Sequence, residues 1–314
     1  VLMTAFFRRT MRFSGILDAA AVLIIVLAVL GFFGGGFWAF DLCAHFRLQY
    51  IGGLIVLAVL FTYLHKTIRA AICLTAALLL SAPLLRYFVP AESAPPGRSL
   101  KVLSFNVNTA NPAVDAVRNF LQGQAADVLL LLEVDDRWMR ELAGLADAYP
   151  YQLTETREDN FGIALLSKRP FVASEIRHFT ADNLPVAACT IEKQGVVYAI
   201  VGLHTLPPLN ASYSASRDEH LREAIPSAAL PHLLVIGDFN LTPFSPRFSA
   251  ILRHSGLRDS AEGFGLRPTW MSHHPVFAIP IDHALVSKDL RVVSRELGGS
   301  LGSDHRPQIG RAHV

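Results

Sequence analysis

The stretch 233-LLVIGDFNLTPFSP-246 decides how the rest of the chain is read. It opens as an uninterrupted apolar run, Leu233 to Ile236, of the kind that forms a strand buried on both faces. The run stops abruptly at Asp238 and Asn240. Residues two apart on a strand share a face. Both polar side chains are therefore expected in one cleft at the strand's carboxyl end, where α/β sheets present their ligand-binding groups. Ser245-Pro246 follows as the cap and first turn of a helix reaching about His254.

On either side of this stretch strands alternate with helices. LKVLSFNV (Leu100–Val107) reads as a strand, and NPAVDAVRNFLQG as a helix with Asn111 at the cap and Pro112 in its first turn. ADVLLLLEV (Ala126–Val134) reads as a second buried strand, with a helix after it from about Asp135 to Asp147. FGIALLS, FVASEIRHF, VAACTIEK and VVYAIVGLHT then follow one another through short turns such as Lys193-Gln194-Gly195, as hairpins do. A helix from about Ser214 to Ala229 precedes the opening stretch, and IDHALVS and RVVSREL are late strands. Mixed parallel and antiparallel strands with helices outside them predict an α/β sandwich.

Upstream of residue 90 the chain changes character. A hydrophobic content of 52% and a mean hydropathy of +0.36 exceed what a soluble domain of this length needs. The excess is local, in three apolar runs at about 16–40, 46–64 and 70–89. Each is about 20 residues, enough to cross roughly 30 Å of hydrocarbon as a helix. A cleavable signal peptide has a shorter apolar part and no two further runs behind it. The competing reading makes the second run, with its glycines, a re-entrant or buried helix.

Arg8, Arg9 and Arg12 precede the first run and Lys66 and Arg69 separate the second from the third, whereas Arg47, offset by Asp41, lies between the first and second. That asymmetry puts the N-terminus in the cytoplasm and everything after Val89 outside it, as in an integral protein of the inner (plasma) membrane. Asp18 is expected to be solvated near the inner interface, and Arg86 to snorkel toward the outer one. PAESAPPGRS (Pro90–Ser99) reads as a semi-rigid linker, leaving residues 100–314 as one domain. Cys43 and Cys73 fall in the membrane part and Cys189 alone in the domain, so no disulfide framework is implied. From Ser99 onward 20 Lys and Arg face 23 Asp and Glu, a net of −3. The domain therefore lacks the basic excess of a nonspecific nucleic-acid binder.

Polar residues recur where the strands end. Asn106 and Asn108 close the first strand, Glu133 the second, His204 the VVYAIVGLHT strand, and Asp238 and Asn240 the opening one, while Asp282 begins a late strand and GSDHRP offers Asp304 and His305. These types suit phosphoester hydrolysis. A hard cation such as Mg²⁺ takes one or two carboxylates and leaves room for water and phosphate, which fits Glu133 and Asp304. A histidine can take a proton from water near neutral pH when a carboxylate fixes its tautomer, which fits His305 with Asp282. Asn106, Asn240 and His204 can donate hydrogen bonds to phosphoryl oxygens. Each signal alone has a plainer reading: GDFN as a strand entering a turn, SDH as a helix cap, Glu133 as a surface charge. Their joint occurrence, in order and at strand ends, carries the weight.

SFNVN, ADVLLLLEV, YPY (Tyr149–Tyr151), FGIALLSKRPF, GLHT, VIGDFN, PTW (Pro268–Trp270), IDHALVS and GSDHRP together span about Leu100 to Ile309. In this set the chain resembles the endonuclease/exonuclease/phosphatase superfamily, the deoxyribonuclease-I-like fold. The resemblance implies an α/β four-layer sandwich of two mixed β-sheets flanked by helices, here preceded by three transmembrane α-helices. It also implies cleavage of phosphoester bonds dependent on Mg²⁺ or Mn²⁺. By the same resemblance, Glu133 is the metal ligand, with Asn106 beside it and Asp304 completing the site. Asp238 and Asn240 position the attacking water and the phosphate, His305 is partnered by Asp282, and His204 assists at the phosphate or leaving group. Whether Asp238 or His305 takes the water's proton stays open. The anchor together with HTLPP resembles bacterial membrane-anchored members of the group.

The chain also departs from the family pattern. HTLPP carries prolines where a leucine-rich continuation is common, IDH places His283 where many members have tyrosine, and both are expected to reshape the leaving-group side. Asn108 stands where some nucleases have an acid, which weakens a second metal. His273 and His274 are expected on a polar loop rather than as ligands. Substrates within reach are a lipid head group, nucleic acid or a small phosphoester, acted on by a monomer with no protein partner. The reading from another class is a non-catalytic, membrane-anchored binding module that keeps the fold.

Overall fold

The computed structural model describes residues 13–90, 97–226 and 230–314. Arg8, Arg9 and Arg12, most of the expected linker and the end of the expected Ser214–Ala229 helix lie outside the described residues. The chain divides into two compact units, Val1–Leu85 and Arg86–Val314.

The described part of the first unit is helical: α1 Phe13–Gly31, α2 Trp38–Ala44, α3 Arg47–Tyr63 and α4 Thr67–Ser81, then a 3₁₀ turn at Ala82–Leu84; α5, Leu85–Phe88, continues from it into the second unit. Two stretches, Ser14–Gly31 and Thr67–Phe88, are long and apolar enough to cross a membrane. α2 and α3 would supply a third crossing only as one span, and they are bent by 57° to each other. Of the three expected spans, two are thus matched by single helices and the second run by this bent pair, a broken span or a re-entrant loop. The first run stops being a helix at Gly31, because glycines 34–36 offer little helical preference and allow a tight elbow. A Cβ at Gly34 would stand 2.7 Å from Asp41 Cα, so only glycine permits that close approach. Asp18, expected to be merely solvated, pairs with Arg69 at 3.0 Å and so links α1 to α4.

The second unit holds twelve described strands: β1 Ser99–Asn106, β2 Val128–Leu132, β3 Tyr151–Glu155, β4 Ile163–Ser167, β5 Phe171–Phe179, β6 Leu184–Lys193, β7 Val196–His204, β8 Leu233–Asp238, β9 Arg258–Asp259, β10 Asp282–Val286, β11 Arg291–Leu297 and β12 Gln308–His313. They form two six-stranded sheets, ordered β11-β12-β1-β2-β4-β3 and β5-β6-β7-β8-β10-β9. Each has a single parallel pair near its middle, β1/β2 and β7/β8. A parallel pair needs a crossover, supplied by α6 (Val114–Gly123) in the first sheet and α8 (Ala211–Ala224) in the second.

Burial follows from the pattern of side chains. β2, β4 and β8 are buried at every position, so neither face of either sheet's middle meets water. Leu130, Leu132, Leu165, Ile200, Leu234 and Ile236 fill the space between the sheets. Behind the first sheet, Leu129 and Leu131 pack against Val117 and Leu121 of α6 and Trp138 of α7 (Asp136–Glu141). Behind the second, Leu203 and Val235 pack against Leu221 of α8 and Phe248 of α9 (Pro246–Ser255). The outcome is the expected sandwich of two mixed sheets between helices.

Local differences have local causes. Asn111 does not cap α6: its Oδ1 accepts from the Ala113 N–H in a turn, and the helix begins at Val114. The expected Asp135–Asp147 helix is α7 capped by Asp135, which accepts from the Trp138 N–H, followed by a separate 3₁₀ turn at Ala143–Leu145. Lys193-Gln194-Gly195 is the expected turn, with Gln194 and Gly195 both left-handed at φ 55° and 76°. Ser245 caps α9 as read, and Gly256 closes it in the left-handed region. Cys189 is a buried core residue.

His220 of α8 is wholly buried, lies 6.1 Å from the Phe179 ring, and finds no hydrogen-bond partner for either ring nitrogen. Burial lowers its pKa from 6.5 to about 4, against a smaller pull from Asp182. Above the unfolded value both states are neutral. As pH falls toward the folded value only the unfolded chain takes the proton, so stability is lost with acidification. The loss attributable to His220 is on the order of 3 kcal/mol. Thermal melts at about pH 7 and about pH 4.5 should show a smaller acid-induced fall in Tm for His220→Phe than for the parent chain.

Candidate active site

Register brings the site together. In the second sheet His204 pairs with Asp238 across the parallel β7/β8 ladder, and Asp282 pairs with Asp238 across the antiparallel β8/β10 ladder. Three ionisable side chains thus stand in a row at neighbouring strand ends. In the first sheet Asn106 ends β1 beside Leu132, and Glu133 is the next residue along. β12, pairing with β1 from Ser99 to Ser104, sets the GSDHRP turn over the same edge.

The two edges meet in a dense network. Asn106 Nδ2 donates to Glu133 Oε1 at 2.8 Å and to Asp238 Oδ2 at 3.3 Å, and lies 3.5 Å from His305 Nε2. His305 Nδ1 is 2.9 Å from Asp282 Oδ2, and its Nε2 is 3.6 Å from Asp238 Oδ2. His204 Nε2 approaches Asp238 Oδ2 at 3.5 Å and Asn240 Nδ2 at the same distance. Asn240 is anchored by its own N–H to Asp238 Oδ1 and by Nδ2 to the Thr205 carbonyl. Asp304 accepts from Asn108 Nδ2 at 2.8 Å and from the Trp270 indole N–H at 3.0 Å. Glu133, His204, Asp238, Asn240, Asp304 and His305 all border one cleft of about 300 Å³.

Several of these groups are held in unusual states. Glu133, Asn108 and Asn240 adopt left-handed backbone conformations, with φ of 61°, 62° and 47°. Such conformations are strained outside glycine and cluster at functional sites. Gly237 of GDFN has φ 144°, and a Cβ there would stand 1.9 Å from the Leu203 carbonyl oxygen, so β7 and β8 approach only because it is glycine.

Charge states follow from burial first. Desolvation pushes the Asp238 carboxyl upward, and Asp282 adds to this while His305 opposes it. Asp282 feels the same desolvation, but the adjacent His305 holds it below the usual carboxylate range. Burial opposes a charge on His305, yet Asp282 and Asp238 outweigh it and raise its pKa. Burial lowers His204 to about 3, with His305 adding to the effect, and raises Glu133 against the hydrogen bond from Asn106. Two carboxylates on adjacent strands are thus driven apart in acidity, the pattern of a site with distinct proton-holding roles.

The donors suit a hard cation. Glu133 and Asp304 both line the cleft, with Asn106 hydrogen-bonded to Glu133, and Asp238, Asp282 and His305 bring ligand atoms within 4.8 Å of one another. The second group is already closed by the His305–Asp282 contact, which leaves the Glu133 side as the better fit to a metal.

Of the residues expected in the site, Glu133, His204, Asp238, Asn240, Asp304 and His305 line the cleft, and Asn106 and Asp282 adjoin it through hydrogen bonds. His283 points to the opposite face: its Nε2 donates to the Leu241 carbonyl at 2.7 Å and its ring packs on Phe239 and Phe248. That overturns the idea that it reshapes the leaving-group side, because side chains alternate along β10 and Asp282 already takes the cleft face. His273 and His274 are exposed on their loop. Leu206 and Pro207 of HTLPP do line the cleft, with Phe161, whose ring lies 4.9 Å from that of His204.

Other supports went unassigned in the sequence. Ser303 Oγ donates to the Asn106 carbonyl and accepts from the His305 N–H, and Trp270 holds Asp304. The signals for them, GSDHRP and PTW, were present without a geometry to give them roles.

The Endonuclease/Exonuclease/phosphatase family model matches residues 103–305. No curated protein matches the chain in sequence. Among solved structures it is similar to an endonuclease/exonuclease/phosphatase from Beutenbergia cavernae DSM 12333, at TM-score 0.58 and 18% identity over 69% of this chain and 72% of that one. It is similar to D. rerio TDP2 complexed with single strand DNA product, at TM-score 0.57 and 19% identity over 69% and 99%. It is also similar to beta toxin from Staphylococcus aureus with bound magnesium ions, a F277A, P278A mutant, at TM-score 0.52 and 18% identity over 69% and 99%.

One expected outcome needs no substrate. In the metal-free protein the His204 imidazole should show no protonation step between about pH 8 and about pH 5 when followed by NMR, whereas an exposed histidine titrates within that interval. A step near pH 6.5 would contradict the burial of its ring. The chain belongs to the Endonuclease/Exonuclease/phosphatase family, whose members are hydrolases of phosphoester bonds.

Proposed function

We propose that this protein hydrolyses a phosphodiester or phosphomonoester with the help of Mg²⁺ or Mn²⁺, as a membrane-anchored enzyme with its catalytic domain outside the cytoplasm. The observation that carries the reading is the contact of the two strand-end rows, with Asn106 bonded to both Glu133 and Asp238 and His305 next to Asp238. Glu133 would hold the cation, with Asn106 and Asp304 at its side. A bound divalent ion would supply charge neutralisation at a phosphoryl oxygen.

This chain's own residues account for the rest. Asn240 is braced by its backbone N–H on Asp238 and by one side-chain N–H on the Thr205 carbonyl, leaving the second amide N–H to orient a phosphoryl oxygen together with His204. A neutral His204 can donate one hydrogen bond without adding charge. The attacking water gives its proton to the Asp238–His305 pair as its oxygen bonds to phosphorus; the ester P–O bond breaks with its electron pair on the departing oxygen, which takes a proton back from that pair or from solvent. Asp282 fixes which His305 nitrogen faces that pair. The magnesium of the beta toxin structure supports the choice of cation.

The two apolar stretches Ser14–Gly31 and Thr67–Phe88 support the anchor; an extracytoplasmic domain requires in addition that the bent α2–α3 pair makes the third crossing, and the arginine and lysine asymmetry supports that orientation. DNA, sphingomyelin, phosphatidylinositol and nucleotides form the panel that separates nucleic-acid from lipid and small substrates.

The full chain in detergent should cleave a generic phosphodiester with Mg²⁺ or Mn²⁺ and lose that activity to EDTA. Glu133→Ala and His305→Ala should each lower kcat/KM by about 10³-fold or more, and Asn240→Ala by about 10²-fold. Unchanged rates in the first two variants would reject the assignment. Absence of both activity and a Mg²⁺-dependent rise in Tm would favour a non-catalytic binding module.

A further inference from the structure

Two residues further along the strands, between the sheets, lies a second polar constellation that hydrolysis does not use. Ser104 sits two residues before Asn106 on β1, Ile236 two before Asp238 on β8, and Ala284 two after Asp282 on β10, so each shares a face with a site residue. These three border an inter-sheet cavity of about 50 Å³ together with Arg295 and Ser260. That is room for roughly three to five water-sized occupants.

Arg295, on β11, is 6% exposed. Its Nη2 donates to Gln308 Oε1 at 3.2 Å, but Nε and Nη1 have no hydrogen-bond partner, and neither do Ser104 Oγ and Ser260 Oγ. A guanidinium cannot shed its proton, and a buried charge without a counter-charge is strongly unfavourable. Asp259 and Asp282 attract it and Arg267 repels it, yet no carboxylate among the described residues forms an ion pair with it. Asp282 is committed to His305, and Asp259 accepts from the Ala261 N–H and the Tyr87 hydroxyl.

We propose that a small monovalent anion, a halide or a one- or two-carbon carboxylate, binds between the sheets against Arg295. Two guanidinium nitrogens, with three N–H between them, and two hydroxyls on residues lining the cavity have no acceptor among the described residues, so the occupant must accept and carry negative charge. Water would satisfy the donors but leave the guanidinium uncompensated. The remaining wall is apolar, from residues such as Leu234 and Val286, which fits a single weakly hydrated charge better than a divalent phosphate. Gln308 links the site upward, because its Nε2 donates to the Asp282 carbonyl while its Oε1 accepts from Arg295.

The test needs neither substrate nor divalent metal. The full chain in detergent with EDTA is melted in gluconate and in chloride or formate at equal ionic strength. Tm should rise saturably, by about 3–5 °C at ten times the half-saturating concentration. Ser260→Ala should weaken half-saturation several-fold while leaving Tm in gluconate unchanged, and Arg295→Met should remove the response. Should Arg295→Met fail to fold, the Ser260→Ala titration decides alone. Crystals grown in bromide should give an anomalous peak beside Arg295 Nη1. Equal melting in chloride and gluconate, or a bromide map with only water in the cavity, would overturn the proposal.

Discussion

The contact between His305 Nδ1 and Asp282 Oδ2 joins the two sheets at their working edge, because His305 precedes β12 of one sheet and Asp282 opens β10 of the other. Both groups are nearly out of water, at 4% exposure each. A buried ion pair repays its desolvation only with good geometry and further hydrogen bonds, and loss of one partner strands the other. Here the further bonds exist: the His305 N–H rests on Ser303 and the Asp282 N–H on Thr269. Asp238 and Asn106, placed by their own strands, both approach the other ring nitrogen of His305, at 3.6 and 3.5 Å.

The same edge accumulates backbone strain. Glu133, Asn108 and Asn240 each hold a left-handed conformation, at a cost of order 1–3 kcal/mol apiece. The hydrophobic layers beneath can sustain this, because β2, β4 and β8 are buried throughout. Thr109 shows how the strain is fixed, with its hydroxyl donating to the Glu133 carbonyl and its N–H to Glu133 Oε2. A chain free to relax would turn Glu133 away from Asn106, so the site is rigid at the residue that matters most for a cation.

Much of this was legible because apolar runs stop where function begins. LLVIGDFN and ADVLLLLEV are read correctly as buried strands whose first polar residues face the cleft, and the spacing of Asp238 and Asn240 placed them together. Pairwise register was not legible: nothing in QIGRAH, with one strong apolar residue, marks β12, and YQLTE, to which no element was assigned, is recruited by β4 as an edge strand. Those strands exist through ladder bonds to neighbours distant in sequence, which local propensity does not encode. His283 was misplaced for a related reason, since its face depends on which of Asp282 and His283 the register turns inward. In the helical unit, composition gave apolarity but not the elbow at Gly34, whose cause is the approach of Asp41 from the next helix.

The division of labour between strand ends and loops explains why chemistry is easier to read than substrate. Asn106, His204, Asp238 and Asp282 belong to strands and are fixed by sheet geometry, so their types and order follow from the fold's requirements. Asn160, Phe161, Leu206, Pro207, Tyr213 and Trp270, which also line the cleft, lie outside the twelve strands, and of these Trp270 is still tied by isolated bridges to Ile279 and His305. Phe161 and Trp270 nevertheless touch the fixed layer, one against the His204 ring and one through the Asp304 carboxylate. Substitution at these two aromatics should therefore change both what the cleft admits and how the groups beneath are aligned, whereas Leu206 and Pro207 contribute shape alone.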